Sequence, residues 1–359
     1  MTDEGEQDAL TGGVAALPPV LDSYGGGADT DPFGGVDELE PWHTSGKRFD
    51  IHQNVGGAAL TAGPLEQNLD VAHGARGERH AGQCRWPPRG RQHVSPKRGH
   101  REGDSVTESV LDGRNAIVTG AGAGIGRATA LRLATGGARV LVADLDAEAA
   151  ENVAGEIRAS GGTALTVAGD LSHQEVADEV VSAATEGLGG IDILVNNAGI
   201  MDDLSATADV SDAVWERLLR VDLTAPFLLT RAALPAMLEQ GRGSIVFTAS
   251  EASLRGSASG TAYTVAKHGL VGLVRSTAVM YRERGIRANA VAPGGTATSI
   301  SVDPTGSPAG PTALGNYAAN IGRVAEPSEL AAAIAFLASD AASNISGAIL
   351  PVDNGWSAV

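Results

Sequence analysis

The chain has 359 residues, long for one domain and short for two full ones. Its 26 Lys and Arg stand against 43 Asp and Glu, and the formal net charge of -17 argues against nucleic acid as the main partner. One cysteine, Cys84, excludes an intramolecular disulfide and suits a reducing compartment; the acidic opening MTDEGEQDAL lacks the basic start and apolar run of a signal peptide, and no apolar run approaches the ~20 residues that span a bilayer. A soluble cytoplasmic protein, partnered by neither membrane nor nucleic acid, is the expectation.

Residues 1–104 differ from everything after them. They are rich in Gly, Pro, Asp and His, acidic over the first seventy and basic from Arg76 to Arg101, with no sustained helical or strand period. Such a composition buries too little apolar surface to offset chain entropy, so the expectation is a low-complexity, disordered extension. It reads first as a solvated tail, then as a product of start-site choice, and last as an interaction arm. His80, Cys84, His93 and His100 match no compact ligand spacing, so no metal site is expected. Residues 105–359 are expected to form a single α/β domain.

That domain opens with a short apolar strand, Asn115 to Val118, followed at once by TGAGAGIG (Thr119 to Gly126) and a helical pattern ending at Gly136 and Gly137. Strand, glycine turn and helix form the context that a dinucleotide fingerprint requires. Gly120 permits the tight turn, Gly124 lets the backbone approach a pyrophosphate, and Gly126 allows close helix packing, with the helix N-terminus facing the phosphates. The next strand, ARVLVAD, ends in Asp144, whose carboxylate can accept from an adenosine ribose hydroxyl and would repel a 2′-phosphate. A helix (Ala147 to Ser160), a strand (Thr163 to Ala168), Asp170-Leu171 and a buried strand running into a polar turn, IDILVNNAG (Ile191 to Gly199), follow.

Ser211 to Gln240 is a long helical pattern in which Pro226 is expected to cause a kink. The buried strand GSIVFTA (Gly243 to Ala249) then delivers Ser250 to the carboxyl end of a sheet, where open α/β folds place their ligands. Tyr263 and Lys267 are four apart and share one helix face. An ammonium beside a phenol lowers a pKa that is otherwise about 10, so such a phenol can trade a proton near neutrality. A sixth strand ends in Pro293-Gly294, and Ser299 to Gly322 has the Gly, Pro, Ser and Thr content of a lid. A helix capped by Ser328 and a last strand within Gly347 to Gly355 complete the chain. Leu254, Ile300, Leu314 and Tyr317, beside Glu251 and Arg255, are expected to line a substrate pocket, with Arg255 available to an anion.

Ser250, twelve residues, Tyr263, three residues, Lys267, preceded by Gly-x-x-x-Gly-x-Gly from Gly120, resembles the short-chain dehydrogenase/reductase family over roughly residues 110 to 357. The resemblance implies a doubly wound, Rossmann-like sheet of seven parallel strands with helices on both faces. It implies Ser250 on the substrate oxygen, Tyr263 as general acid/base, and Lys267 tuning the tyrosine and gripping the nicotinamide ribose. It adds Ile125, Asp170, Leu171, Asn197, Ala198, Gly199, Pro293, Gly294 and Thr298 to the cofactor site, and gives Asn196 the task of stabilising the central strands. Asp222 stands where the family usually has an Asn that holds a proton-relay water; its charge near Lys267 should raise the pH optimum. With Asp144 present, and no Arg or Lys at Ala123 or Leu145, NAD is expected over NADP. The leading expectation is therefore an NAD-dependent dehydrogenase of secondary alcohols or ketones, assembled as a homotetramer or dimer. An NADPH-dependent 3-oxoacyl-thioester reductase and a non-catalytic NAD sensor are the alternatives.

Overall fold

Seven strands whose residues are mostly apolar need cover on both faces, and a parallel sheet between two helix layers provides it. A computed structural model describes residues 110–302 and 306–359. The strands are β1 (Asn115–Thr119), β2 (Arg139–Asp144), β3 (Ala164–Ala168), β4 (Ile193–Asn196), β5 (Gly243–Thr248), β6 (Ile286–Pro293) and β7 (Ile349–Val352). They pair in parallel in the order β3-β2-β1-β4-β5-β6-β7. The order reverses between β1 and β4, so a crevice opens at their carboxyl ends. The expected seven-stranded doubly wound sheet is present. The extension and its four His and Cys residues lie outside the described residues.

Helices α1 (Gly124–Thr135), α2 (Ala147–Ala159), α3 (Gln174–Leu188), α4 (Asp212–Leu219), α5 (Ala225–Gln240), α6 (Thr261–Tyr281), α7 (Ala309–Gly315) and α8 (Pro327–Ala338) connect the strands. Alternate strand residues feed two cores. Ile117, Leu141, Leu194, Ile245 and Phe247 pack against α3, α5 and α6, while Val118, Val140, Val142, Ile193 and Val195 pack against α1, α2 and α8. The apolar face of α3, with Ala177, Val180, Ala184 and Leu188 buried, was not among the sequence expectations, although its spacing is helical.

Three local expectations change. The long helix is not kinked at Pro226, which sits in the first turn of α5, where a missing N–H costs little. The irregularity lies just before it, a π-helical turn over Arg220–Thr224 that carries Asp222. Glu326, not Ser328, caps α8 through a capping box with Glu329. Asp212–Gln240 is also long and apolar enough to cross a membrane by length and composition. Leu229, Ala233 and Met237 of that stretch are buried against the sheet, as in a core helix.

Candidate active site

A cavity of about 600 Å³ opens over the carboxyl ends of the strands. Gly120 (φ 58°) turns the chain out of β1, and Gly124 (φ 52°) starts α1 in a region that side chains avoid. A Cβ on Gly126 would lie 2.0 Å from the Gly120 carbonyl oxygen, so only glycine lets the helix approach the turn. The α1 N-cap, Ala123, makes no side-chain cap bond, which leaves the first N–H groups of the helix available to an anion. Gly120, Gly124 and Ile125 line the cavity, whereas Gly126 lies behind them as packing.

Asp144 stands beside this turn at the end of β2. Its carboxylate accepts from the N–H of Gly122 at 2.7 Å and from that of Asp146 at 3.0 Å, so its position is fixed against the glycine loop. Asp170 and Leu171 form the adjoining wall. Hydrogen bonds from Ser172 hold the Asp170 carboxyl below its usual range. A cradle that any Cβ would fill, an uncapped helix terminus and a carboxylate at ribose distance down the chain fit a dinucleotide.

At the crevice floor the role expected of Asn196 falls to its neighbour. The Asn197 side chain donates to the carbonyls of Thr119 (3.0 Å) and Gly120 (3.3 Å) and accepts from the Thr248 hydroxyl (3.1 Å), tying together the ends of β1, β4 and β5. Asn196 is buried and donates to Thr230 on α5 at 3.0 Å. Asn197, Ala198 and Gly199 line the cavity. A Cβ on Gly199 would sit 3.2 Å from an Asp222 oxygen and 3.3 Å from the Lys267 ammonium, so the turn lies directly over that pair. Pro293, Gly294 and Thr298 also line the cavity, with the Thr298 side chain close to Gly124.

Ser250, Tyr263 and Lys267 meet in this cavity. The Ser250 hydroxyl accepts from the Ala252 N–H at 3.1 Å and lies beside the phenol. The Lys267 ammonium is 5.4 Å from the Tyr263 ring centre, donates to the Thr248 carbonyl at 3.2 Å and pairs with Asp222 at 3.2 Å. Asp222 is only 1% exposed and does not line the cavity; its second oxygen accepts from the Ile200 N–H at 2.9 Å. Lys267 therefore stands between the cavity and a buried carboxylate.

Burial decides the electrostatics here. It pushes the Tyr263 phenol above its ordinary range; Lys267 pulls it down and Asp222 pushes it up again. The expectation that the ammonium alone would leave the phenol acidic is thus corrected, because desolvation of the phenolate is the larger effect. Burial works most strongly against the charged lysine, yet the Asp222 carboxylate and the Tyr263 oxygen together outweigh it and hold Lys267 above its ordinary value. Burial raises Asp222 in turn, with Lys267 opposing.

The remaining wall is mainly apolar. Ile200, Met201, Ile300, Val302 and Ile321 face the cavity, together with Trp356, which sequence reasoning missed although it follows the Asp353-Asn354-Gly355 turn. Leu254, Leu314 and Tyr317 do not reach it. Arg255 is also removed from the candidates for an anion site: its guanidinium pairs with buried Glu251 at 2.5 Å and donates to the Val359 carbonyl. Burial raises the Glu251 carboxyl to about 7 despite that pairing, and neighbouring Asp353 adds to the rise. Asn354 takes φ 56°, a left-handed conformation that asparagine tolerates.

A family model described as Enoyl-(Acyl carrier protein) reductase matches residues 120–357. The chain is 40% identical over 255 residues to 3beta-hydroxysteroid dehydrogenase 2 of Eggerthella lenta, covering 69% of this chain and 96% of that one. It is 43% identical over 246 residues to cis-4-hydroxycyclohexanecarboxylate dehydrogenase of Sinomonas cyclohexanicum, covering 68% and 97%. Among solved structures, one described as an NAD(P) dependent gluconate 5-dehydrogenase from Beutenbergia cavernae, with NADP bound at low occupancy, is 38% identical. It superposes with a TM-score of 0.62 over 71% of this chain and 100% of that one.

Proposed function

This chain belongs to the short-chain dehydrogenase/reductase family of oxidoreductases, and from that premise we propose that it moves hydride between NAD(H) and a secondary alcohol or ketone, with Tyr263 as general acid/base. The observation that carries the reading is the meeting of Ser250, Tyr263 and Lys267 in one cavity that the glycine turn and Asp144 also line. The cofactor supplies the hydride chemistry. Ser250 fixes the substrate oxygen, and Tyr263 gives that oxygen a proton in reduction or takes one in oxidation. Lys267, held by the Thr248 carbonyl and Asp222, would bind the nicotinamide ribose and stabilise the phenolate. Because burial raises the phenol's pKa, Tyr263 is protonated near pH 7 and able to give its proton to a ketone oxygen, and the rate of alcohol oxidation is expected to rise with pH.

Asp144 supports NAD, since a carboxylate held against the Gly122 N–H would repel a 2′-phosphate. The apolar wall of Ile200, Met201, Val302, Ile321 and Trp356 supports a ring-bearing substrate, in keeping with the ring alcohols in the names of the two dehydrogenase relatives. The test is absorbance at 340 nm with each cofactor against a panel of alicyclic alcohols and ketones. Turnover with NADH and loss of roughly 10²–10⁴-fold in kcat on Tyr263→Phe are expected. Turnover with NADPH alone would favour the 3-oxoacyl-thioester reductase reading, which has in common with the family model's description an acyl thioester but not the bond reduced. NADH binding without turnover would favour a sensor, which only the buried Asp222–Lys267 pair suggests.

A further inference from the structure

The helix that carries Tyr263 begins without a cap of its own. Its N-cap is Gly260, which has no side chain to offer, and the first N–H groups of any helix lack intrahelical partners. Those of α6 are satisfied from elsewhere. The Thr261 N–H donates to the Ser205 carbonyl at 3.0 Å, and the Tyr263 N–H donates to the Asp202 carboxylate at 3.1 Å. Both acceptors belong to the loop after β4, some sixty residues upstream. We propose that Asp202 is a positioning residue for Tyr263: its carboxylate is the missing N-cap of the catalytic helix, and it locks the phenol to the loop that forms the substrate wall.

The loop is shaped for this task. Asp202 is 1% exposed and also accepts from the Ser259 hydroxyl at 3.0 Å and the Leu204 N–H at 3.1 Å, so its two oxygens receive three donors from two segments. Leu204 adopts φ 61°, a conformation a leucine takes only under constraint, and it lies between the two acceptors, where the chain must reverse. Gly260 and Gly310 make that turn possible. A Cβ on Gly260 would lie 2.5 Å from an Asp202 oxygen and 2.7 Å from the Leu204 Cα, and one on Gly310 would lie 1.8 Å from the Leu204 carbonyl oxygen. The same loop is pinned at its start by the bond from the Ile200 N–H to Asp222, and Ile200 and Met201 between the two pins line the cavity. Wall and phenol are therefore held by one short segment with an acidic anchor at each end.

This inference rests on the reading of Tyr263 as the acid/base, and the test separates the two. Asp202→Asn keeps the shape and removes the charge and one acceptor facing the Tyr263 N–H. The charged groups facing the phenol are Lys267 on its own helix, Asp222 on the π-helical turn and Asp202 on the loop, the last two raising its pKa. The expected result is a kcat ten- to a hundredfold lower, the scale of an ångström-sized misplacement. The acid limb of the oxidation profile should move to lower pH, with the NADH dissociation constant, read by fluorescence titration, within twofold of the parent. A kcat and a profile equal to the parent's would overturn the inference, whatever the change in melting temperature. Should Asp202→Asn not fold, amide exchange in the parent decides: a Tyr263 N–H protected well beyond the Ala262 N–H, which has no such acceptor among the bonds described, supports the cap. Equal exchange sinks it. Full activity in Tyr263→Phe would refute the acid/base reading itself, independently of Asp202.

Discussion

Asp222 shows how far one buried carboxylate can set the charge state of its neighbours. Its Oδ1 takes the Ile200 N–H, as an asparagine oxygen could, but its charge meets Lys267 at 3.2 Å in a place with almost no solvent. At that depth a like or unlike charge acts with little screening, so the carboxylate favours both a charged lysine and a protonated phenol. Asp222→Asn should therefore lower the Tyr263 pKa and move the acid limb of alcohol oxidation to lower pH, measured as kcat against pH at saturating cofactor. An unmoved or higher midpoint would show that Asp222 does not reach the phenol electrostatically. The residue types of this site were legible in the sequence, because Ser250, Tyr263 and Lys267 keep their spacing. The direction of the phenol's shift was not, since it turns on desolvation, which depends on what the whole fold piles around the hydroxyl.

At the scale of elements, the glycine turn makes the sharpest claim. The carbonyl of Gly120 occupies the space a Gly126 side chain would need, 2.0 Å from its ideal Cβ, and Asn197 closes the other side at 2.6 Å. Neither neighbour is free to move, because the Asn197 amide holds the ends of three strands. Gly126→Ala should cost about 1–3 kcal/mol of stability by overpacking. It should also weaken NADH at least about tenfold, or 1.4 kcal/mol, in a fluorescence titration; parent-like affinity would mean that α1 can retreat without disturbing the phosphate site. Strand–turn–helix order made this unit readable, and the apolar runs made β1 through β7 readable. Caps and helix irregularities were less so. Ser328 is the cap that residue type suggests, whereas α8 starts at Pro327 with Glu326 as cap, closed by a capping box with Glu329. Pro226 signals a disturbed helix but not its form, a π-helical turn that places Asp222 under Gly199. Asp202 as the cap of α6 links segments about sixty residues apart, beyond any local pattern.

For the molecule as a whole, topology brings the pieces together. Reversal of strand order between β1 and β4 puts the carboxyl ends of both halves around one crevice. Asp144 from the first half and Tyr263 from the second thereby line the same cavity, although 119 residues separate them in sequence, as their numbers give. A ligand spanning that crevice touches the ends of strands that both cores hold in place, so its binding is expected to stabilise the domain as one unit. Linkage sets the size: a ligand at 100 times its dissociation constant adds about 2.7 kcal/mol to the folded state. In a domain of some 250 residues each kcal/mol moves the melting temperature by roughly 2–4 °C, so NADH at that level should raise it by about 5–10 °C. The comparison of cofactors then weighs Asp144 directly. At equal concentration NADPH should give a smaller shift, and Asp144→Ala should narrow the gap by removing the repulsion of the 2′-phosphate. A larger shift with NADPH in the parent would mean that the carboxylate bound by the Gly122 and Asp146 N–H groups is too well neutralised by them to discriminate, and NADP would then be the cofactor.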